Sequence, residues 1–356
     1  MSGGFEHAVV LAPYTTLRLG GPADHFFLAE TDASLIAAIR DAQSHGADER
    51  DGLFVLGGGS NIVVADEGFR GTVVRVATTG VTVEDSLVSA AAGVPWDEVV
   101  AQAVDAGLAG IECLSGIPGS TGATPIQNVG AYGQDVSQTV VMVDAYDRTT
   151  GVMALLDNAD CAFGYRHSAF KADPSHYVVT RVHFRLSDNG GLSEPVRYKD
   201  VAQALGIEIG ERAPLKDVRE AVLEQRRRRA MVLDPEDHDT WSAGSFFTNP
   251  VLSAEEFAAL ERRCAPLTPP RFPEADGRVK TSAAWLIEQA GFGKGYSLGE
   301  RVGLSTKHTL ALTNRGGATT GELMRLAERV RDGVEERFGV AIVPEVTFVP
   351  RSEPTF

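Results

Sequence analysis

GIPGSTGATPIQNVGAYG, residues 116–133, is too glycine-rich for a regular element and too apolar for a solvated linker. Glycine permits backbone conformations and close approaches that other residues resist, so this stretch is expected to pack main chain against something other than side chains. A second glycine turn lies upstream. Leu56-Gly57-Gly58-Gly59-Ser60-Asn61 ends the short apolar run Leu53–Leu56, which reads as a buried strand. Consecutive N–H groups in such a turn can converge on an anion, and Ser60 and Asn61 add side-chain donors. The following Ile62-Val63-Val64-Ala65 is apolar and β-branched rather than helix-opening, which disfavours a dinucleotide Rossmann fingerprint. Alone, this turn reads equally well as three glycines in a bend. With the second segment it makes a pair of loops able to clamp a pyrophosphate from two sides. Ser120, Thr121, Thr124, Gln127 and Asn128 supply neutral donors there. The bland alternative is a packed irregular loop.

Outward from these loops, strand-like and helix-like patterns alternate. Thr31-Asp32 can cap a helix whose face is Leu35, Ile36 and Ile39, with Gly46 as its stop. Residues 73–76 read as a strand. Pro95 suits a first helical turn, Trp96, Val99, Val100 and Ala103 form one stripe, and Gly107 closes that helix. Thr180, Val182, Phe184 and Leu186 alternate with Arg181, His183 and Arg185, the pattern of a half-exposed strand. Leu323, Leu326, Val330, Val334 and Phe338 mark one face of a long helix, capped by Thr319 or Thr320 and stopped by Gly339. A last strand is expected over 341–349, confined to an edge or bulge by Pro344. Residues 266–273 are a proline-rich loop. The rhythm is not a strict βαβ repeat, so the fold class is α+β with several lobes.

At 356 residues the chain is long enough for two or three lobes, and its apolar fraction of 43% and charged fraction of 23% are those of a globular protein. Thirty-three basic against 48 acidic residues leave a net charge of −15, which repels phosphate backbones and argues against nucleic acid as a partner. No stretch approaches the roughly 18 apolar residues of a membrane span. The N-terminus lacks the basic and apolar regions of a signal peptide. Cys113, Cys161 and Cys264 have no metal spacing and read as free thiols, and no histidines are spaced as ligands, so no metal is expected. Together these place the protein in the cytoplasm, and nothing in the sequence calls for an obligate protein partner.

The two glycine segments resemble the FAD-binding loops of the UDP-N-acetylenolpyruvoylglucosamine reductases, also called UDP-N-acetylmuramate dehydrogenases. Further matches follow in order: Phe163-Gly164-Tyr165-Arg166-His167-Ser168, Tyr198-Lys199-Asp200, Gly244-Ser245-Phe246-Phe247-Thr248-Asn249-Pro250, Ala284-Trp285-Leu286-Ile287-Glu288-Gln289 and Pro344-Glu345-Val346. They span roughly Thr15 to Val349, and their joint order is far more specific than any one of them. The resemblance implies a two-lobe FAD-binding region like that of the vanillyl-alcohol oxidases (the PCMH type) and a separate α+β substrate-binding domain. The lobes are expected at 15–78 and 79–225. The substrate domain is expected at 226–356, its final strand returning to the active site. By the same resemblance, Gly57, Gly58, Gly59, Ser60, Asn61, Gly119, Ser120, Gly122, Gln127 and Asn128 bind FAD. Tyr198, in an inserted tyrosine loop, and Asn249 and Gln289 meet the UDP-sugar substrate, and NADPH is the electron donor. Two departures stand out. Arg226-Arg227-Arg228-Arg229 occupies a stretch where the family often has lysine, and Thr248 replaces another frequent lysine. Which cation meets the UDP pyrophosphate is therefore open, and the arginine run reads as a solvated helix end ahead of a phosphate clamp.

The implied chemistry explains the residue types. An enol ether bearing a carboxylate resists hydride, because charge is pushed back onto an already anionic group as a dianionic aci-enolate. Stabilising it needs donors fixed where charge develops, each worth about 3 kcal/mol in a closed site. Arg166 can supply a permanent bidentate cation. Glu345 can help only while it carries a proton, since an ionised carboxylate would repel the intermediate. Ser245 can protonate the ether-bearing carbon: a hydroxyl is a weak acid, but a carbanion-like enolate is a strong base. These are the family's roles for the matching residues. Each also has a plain reading: Arg166 as a surface cation, Ser245 as a turn donor at a core boundary, Glu345 as an edge-strand acid, Tyr198 as a loop anchor. An FAD-dependent sugar or hydroxy-acid oxidase on the same fold is the alternative enzyme, and a flavin-binding protein without catalysis the alternative from another class.

Overall fold

In the computed structural model, which describes residues 4–44 and 52–350, the chain divides into two compact units. One comprises Ala23–Gly59 and Phe69–Val232 with the N-terminal residues to Val9; the other comprises Val10–Pro22, Ser60–Gly68 and the chain from Leu233 onward. The expected division between 225 and 226 would fall inside the helix Leu215–Arg227. The units part at Val232 instead. Residues 15–22 and 60–68, expected in the first lobe, count with the second unit because their backbone is bonded there. Gly21 N donates to Ala65 O at 2.8 Å, and Ala65 N to Val349 O at 2.8 Å.

Among its described residues the first unit holds two larger sheets and two small two-stranded ones. In the four-stranded one, Pro22–Ala29 and Leu53–Leu56 flank Phe69–Val76 on either side, both parallel to it, and Glu6–Val10 lies outside Pro22–Ala29. The helix Asp32–Ser44 makes the crossover, with Leu35 and Ile39 fully buried and Ile36 half-buried, as its pattern implies. Ser34 N donates to Thr31 Oγ1 at 3.1 Å at its start; the expected stop at Gly46 lies outside the described residues. The second sheet is antiparallel, ordered Val152–Asp157, Val140–Asp147, Tyr177–Arg185, Leu87–Ala91, Val81–Glu84. Thr180, Val182 and Phe184 face its core. On the other face His183 bridges Ser89 Oγ (2.7 Å) and Asp144 Oδ1 (3.1 Å), so this side of the strand carries a bonded polar cluster rather than bare solvated charges. The helix Trp96–Asp105 buries Trp96, Val99, Val100 and Ala103, with Val99 and Val100 each contributing about 1.5–3 kcal/mol. Glu112 is fully buried and accepts from Gly110 N (2.6 Å) and Glu194 N (2.7 Å), pinning the segment that leads to Tyr198.

The second unit is built on the long helix Thr320–Phe338. Thr319 is its cap, in a reciprocal capping box with Glu322, and Gly339 ends it in the left-handed region at φ 65°. Such a cap is worth about 1 kcal/mol. Leu323, Leu326, Val330, Val334 and Phe338 form the buried stripe. Around it lie the helices Ala254–Cys264 and Ala283–Gln289 and three small sheets. The expected last strand is shorter than its pattern: only Thr347–Val349 is strand, paired parallel with Ile62–Val64. Before it the chain runs beside a different partner, with Thr248 N donating to Val343 O and Glu345 N to Phe246 O. Pro344, lacking an N–H, sits between those two bonds.

Candidate active site

The glycine segments meet within the first unit. A Cβ on Gly58 would stand 2.4 Å from Gly119 Cα, so the loops stack main chain on main chain there as their composition implies, while one on Gly57 would meet the Ser120 hydroxyl at 2.8 Å. Gly122 has another partner: its Cβ would strike that of Ala92 at 2.5 Å, and its N–H donates to Ala92 O. Arg75 Nη1 collects the carbonyls of Leu56 (3.4 Å), Gly57 and Val76 (3.1 Å). In a trans peptide the N–H points opposite its carbonyl, so the amides of Gly57 and Gly58 are turned away from that cation. A pyrophosphate fits such a turn: main-chain amides at Gly57 and Gly58, a hydroxyl at Ser120, and no carboxylate among the candidate contacts. Ser60 and Asn61 follow directly but belong to the second unit.

Arg166 stands in the turn Gly164–His167, whose end residues form an isolated bridge, and its guanidinium lies over the Tyr165 ring at 5.6 Å. It is half-buried, with φ 51°, a left-handed conformation that typically costs a non-glycine residue about 1–3 kcal/mol. A seam of side-chain bonds holds the turn to residues 126–130. Arg166 donates to Asn128 O (3.3 Å) and Gly130 O (3.0 Å), Ser168 Oγ to Ile126 O (2.7 Å), and Asn128 Nδ2 to Gly164 O (2.9 Å). Lys171 Nζ donates to Gln127 Oε1 (2.9 Å) and Arg166 O (3.0 Å). Asn128, expected to bind cofactor, has its amide engaged at both ends, since Oδ1 also accepts from Ser137 N at 3.2 Å. The proposed catalytic cation is therefore built directly onto the second glycine segment.

Next along the chain, Tyr132 and Gly133 turn a hairpin between Gly130–Ala131 and Gln134–Asp135, both with positive φ (51° and 86°). That is a I′ turn, which ordinarily selects asparagine or aspartate and glycine, so a tyrosine here is held against its preference. Its ring meets Tyr198 edge-on at 5.1 Å. The arginine run completes the group and corrects its expected reading as a solvated end. Arg227 and Arg228 are exposed and pair with Glu220 (2.7 Å) and Glu224 (2.8 Å). Arg226 and Arg229 lie on the other side of the chain and turn inward. Arg226 donates to Met231 O at 2.8 Å; burial pushes its pKa down against the opposing pull of Tyr132 and Asp97. Arg229 pairs with Asp200 at 2.7 Å. Burial would lower it too, but Asp200 and the phenols of Tyr132 and Tyr198 outweigh that and raise it. Both stay cationic at neutral pH. Asp97 anchors this helix from across the unit, accepting from both Arg219 nitrogens (2.7 and 2.8 Å) and from Gly116 N (2.6 Å). Burial alone would raise its pKa, yet those donors and nearby Arg226 together hold the carboxyl below its usual range.

In the second unit Gly244, at φ 72°, turns the chain into Ser245, which is half-buried ahead of the fully buried Phe246 and Phe247. Thr16 Oγ1 fixes the approach by donating to Ser242 O at 2.7 Å. Phe247 bridges Pro344, and Glu345 N donates to Phe246 O at 2.8 Å, so the structure brings Ser245 and Glu345 onto adjacent extended segments. Asn61 flanks them, its Nδ2 near Glu345 O at 3.4 Å and its carbonyl accepting from Thr347 N. Asn249 Oδ1 accepts from Ala283 N at 3.0 Å at the head of the helix that ends at Gln289. Thr248, the other departure from lysine, donates its hydroxyl to Val343 O at 3.2 Å. Three residues escaped the sequence reading. Tyr132 had the visible signal of a tyrosine between glycine-flanked turn positions; Lys171 and Asp97 had none, since their partners lie far along the chain. The three cysteines are buried and unpaired, and burial pushes Cys161 up to about 12.

Comparison with known proteins fits this arrangement. Residues 234–349 match the family model described as UDP-N-acetylenolpyruvoylglucosamine reductase, C-terminal domain, and residues 23–155 match an FAD binding domain. The chain is 58% identical over 344 residues to the UDP-N-acetylenolpyruvoylglucosamine reductase of Streptomyces coelicolor, covering 95% of this chain and 88% of that one. It is 55% identical over 359 residues to that of Thermobifida fusca, covering 98% and 99%. Among solved structures it is similar to the UDP-N-acetylenolpyruvylglucosamine reductase from Thermus caldophilus, with a TM-score of 0.65, 25% identity, and coverage of 97% and 98%.

Proposed function

The chain belongs to the UDP-N-acetylenolpyruvoylglucosamine reductase family, and on that premise we propose how its own residues divide the work. It is an FAD-dependent oxidoreductase that uses NADPH to reduce UDP-N-acetylenolpyruvoylglucosamine to UDP-N-acetylmuramate for peptidoglycan synthesis. Bound FAD supplies the hydride chemistry that no side chain can carry. The stacked turns Gly57–Gly59 and Gly119–Ser120, with Ser60, Asn61, Gly122, Gln127 and Asn128, hold it. The single observation that carries this reading is the backbone approach of Gly58 to Gly119 beside amides turned from Arg75.

On the substrate, Arg166 meets the carboxylate charge as it grows, as a bidentate cation already fixed in its turn. Glu345 donates a hydrogen bond to the same developing charge, and Ser245 on the neighbouring extended segment delivers a proton to the ether-bearing carbon. The main-chain bond to Phe246 O and the side-chain bond from Asn61 Nδ2 keep Glu345 in register, which supports its role. Tyr198, Asn249 and Gln289 contact the UDP-sugar. For the open question of the cation, we assign the substrate diphosphate to Arg229: it is half-buried beside Tyr198 and Tyr132, where its Asp200 partner orients it, whereas Arg227 and Arg228 are exposed and face surface glutamates. The first unit, with Ala23–Gly59 and Phe69–Val232, serves as the cofactor region, and the chain from Leu233 onward as the substrate domain. No helix among the described residues is long and apolar enough to cross a membrane; with three unpaired thiols and a nucleotide-sugar substrate, the reading is a cytoplasmic enzyme. The test is anaerobic: flavin reduced by NADPH is reoxidised on adding UDP-N-acetylenolpyruvoylglucosamine. Flavin that stays reduced, or that turns over only with oxygen and releases peroxide, contradicts it.

A further inference from the structure

We infer that Lys171 is a positioning residue that locks the catalytic cation Arg166 to the cofactor segment. The inference deepens the function proposed above and rests on it. Lys171 closes the one-turn helix Ala169–Ala172, whose cap is Ser168: Ser168 Oγ accepts from Lys171 N at 3.1 Å and donates to Ile126 O at 2.7 Å. The lysine is half-buried, and its ammonium spans two chemically different acceptors. One is the Gln127 amide oxygen at 2.9 Å, in the candidate FAD set; the other is the carbonyl of Arg166 at 3.0 Å.

The second bond is the informative one. Arg166 sits at φ 51°, where a residue with a Cβ does not rest unaided. The peptide following it fixes where the backbone leaves the turn, and hence where the guanidinium points. Holding that carbonyl with a charged donor selects the left-handed state over the extended alternatives. Arg166 itself donates to Asn128 O and Gly130 O, so its head depends on the 128–130 backbone while its root depends on Lys171. The ammonium bonds the backbone carbonyl of Arg166 rather than the substrate-facing head, so Lys171 acts through Arg166 and not as a substrate ligand.

Hydrogen bonds from charged donors are worth enough that their loss from a strained turn is expected to slow the dependent step by about tenfold to hundredfold. The test compares the FAD-loaded wild-type enzyme with two variants, Lys171→Met and Lys171→Arg. In anaerobic stopped flow, Lys171→Met reoxidises its reduced flavin with UDP-N-acetylenolpyruvoylglucosamine about ten- to a hundredfold more slowly at saturation, with a smaller change in KM. Reduction by NADPH falls by less than about threefold. Lys171→Arg, which keeps a cationic donor, recovers most of the loss. Titration of the apoprotein with FAD, followed by flavin fluorescence, changes by less than about threefold in Kd, and the melting curves overlay within a few degrees. A merely structural lysine would slow both half-reactions alike or lower the melting temperature, and either result overturns the inference. So does a Lys171→Met enzyme indistinguishable from wild type, a Lys171→Arg enzyme no better than Lys171→Met, or a loss confined to FAD affinity. Reduced wild-type flavin that the substrate fails to reoxidise sinks the functional reading and this inference together; every other negative result sinks the inference alone.

Discussion

Replacing Gly58 by alanine puts a methyl group where the structure has main chain. The new carbon would lie 2.4 Å from Gly119 Cα, 2.6 Å from its carbonyl carbon and 2.7 Å from Ser120 N. Relaxed carbon–carbon contacts lie at about 3.5–4.0 Å, so the two turns must part by about 1 Å. None of the three neighbours is the end of a flexible side chain, and rotamer changes cannot relieve the clash. Overpacking of this kind costs about 1–3 kcal/mol. Where the strain falls on a binding loop, that is about five- to a hundredfold in affinity. Gly57→Ala meets only Ser120 Oγ at 2.8 Å, which can swing aside, so its effect on FAD binding should be under about fivefold. Gly293→Ala, with nothing within 4 Å, is the neutral control. Fluorescence titration of each apoprotein with FAD ranks them, and thermal melts show whether the fold survives. A Gly58→Ala protein that binds FAD as wild type does, or a Gly57→Ala protein that is worse, would refute the stacked-loop reasoning.

Two further substitutions address the substrate side. Glu345→Gln keeps a neutral donor and should lose less steady-state activity than Glu345→Ala, by about tenfold between them; the reverse order would remove the requirement for a protonated acid. Arg229→Ala should raise KM for the UDP-sugar by about tenfold or more while Arg228→Ala leaves it within twofold, and equal effects would take the diphosphate away from Arg229.

The long C-terminal helix was legible residue by residue, because a 3.6-residue stripe, a capping threonine and a closing glycine are all local signals. The glycine loops were legible for a related reason: only close backbone approach explains so many glycines among apolar residues, and Gly58 against Gly119 supplies that approach. What stayed hidden is long-range. Nothing local shows that Asp97 meets Arg219, or that Lys171 reaches back to Gln127. The arginine run was misread because four like residues carry no signal of which way each faces. Arg226 and Arg229, three apart at the end of the helix, face inward while their neighbours take surface glutamates. The last strand was overextended for the opposite reason. Its apolar pattern is continuous, but the chain changes partner at residue 346, from the segment after Ser245 to the strand Ile62–Val64.

The account turns on protonation of the substrate by Ser245, and separated half-reactions of Ser245→Ala test that step most directly. The variant should be reduced by NADPH within about twofold of wild type, while reoxidation of its flavin by UDP-N-acetylenolpyruvoylglucosamine slows by at least about a hundredfold. Equal losses in the two half-reactions, or a reoxidation rate close to wild type, would contradict it.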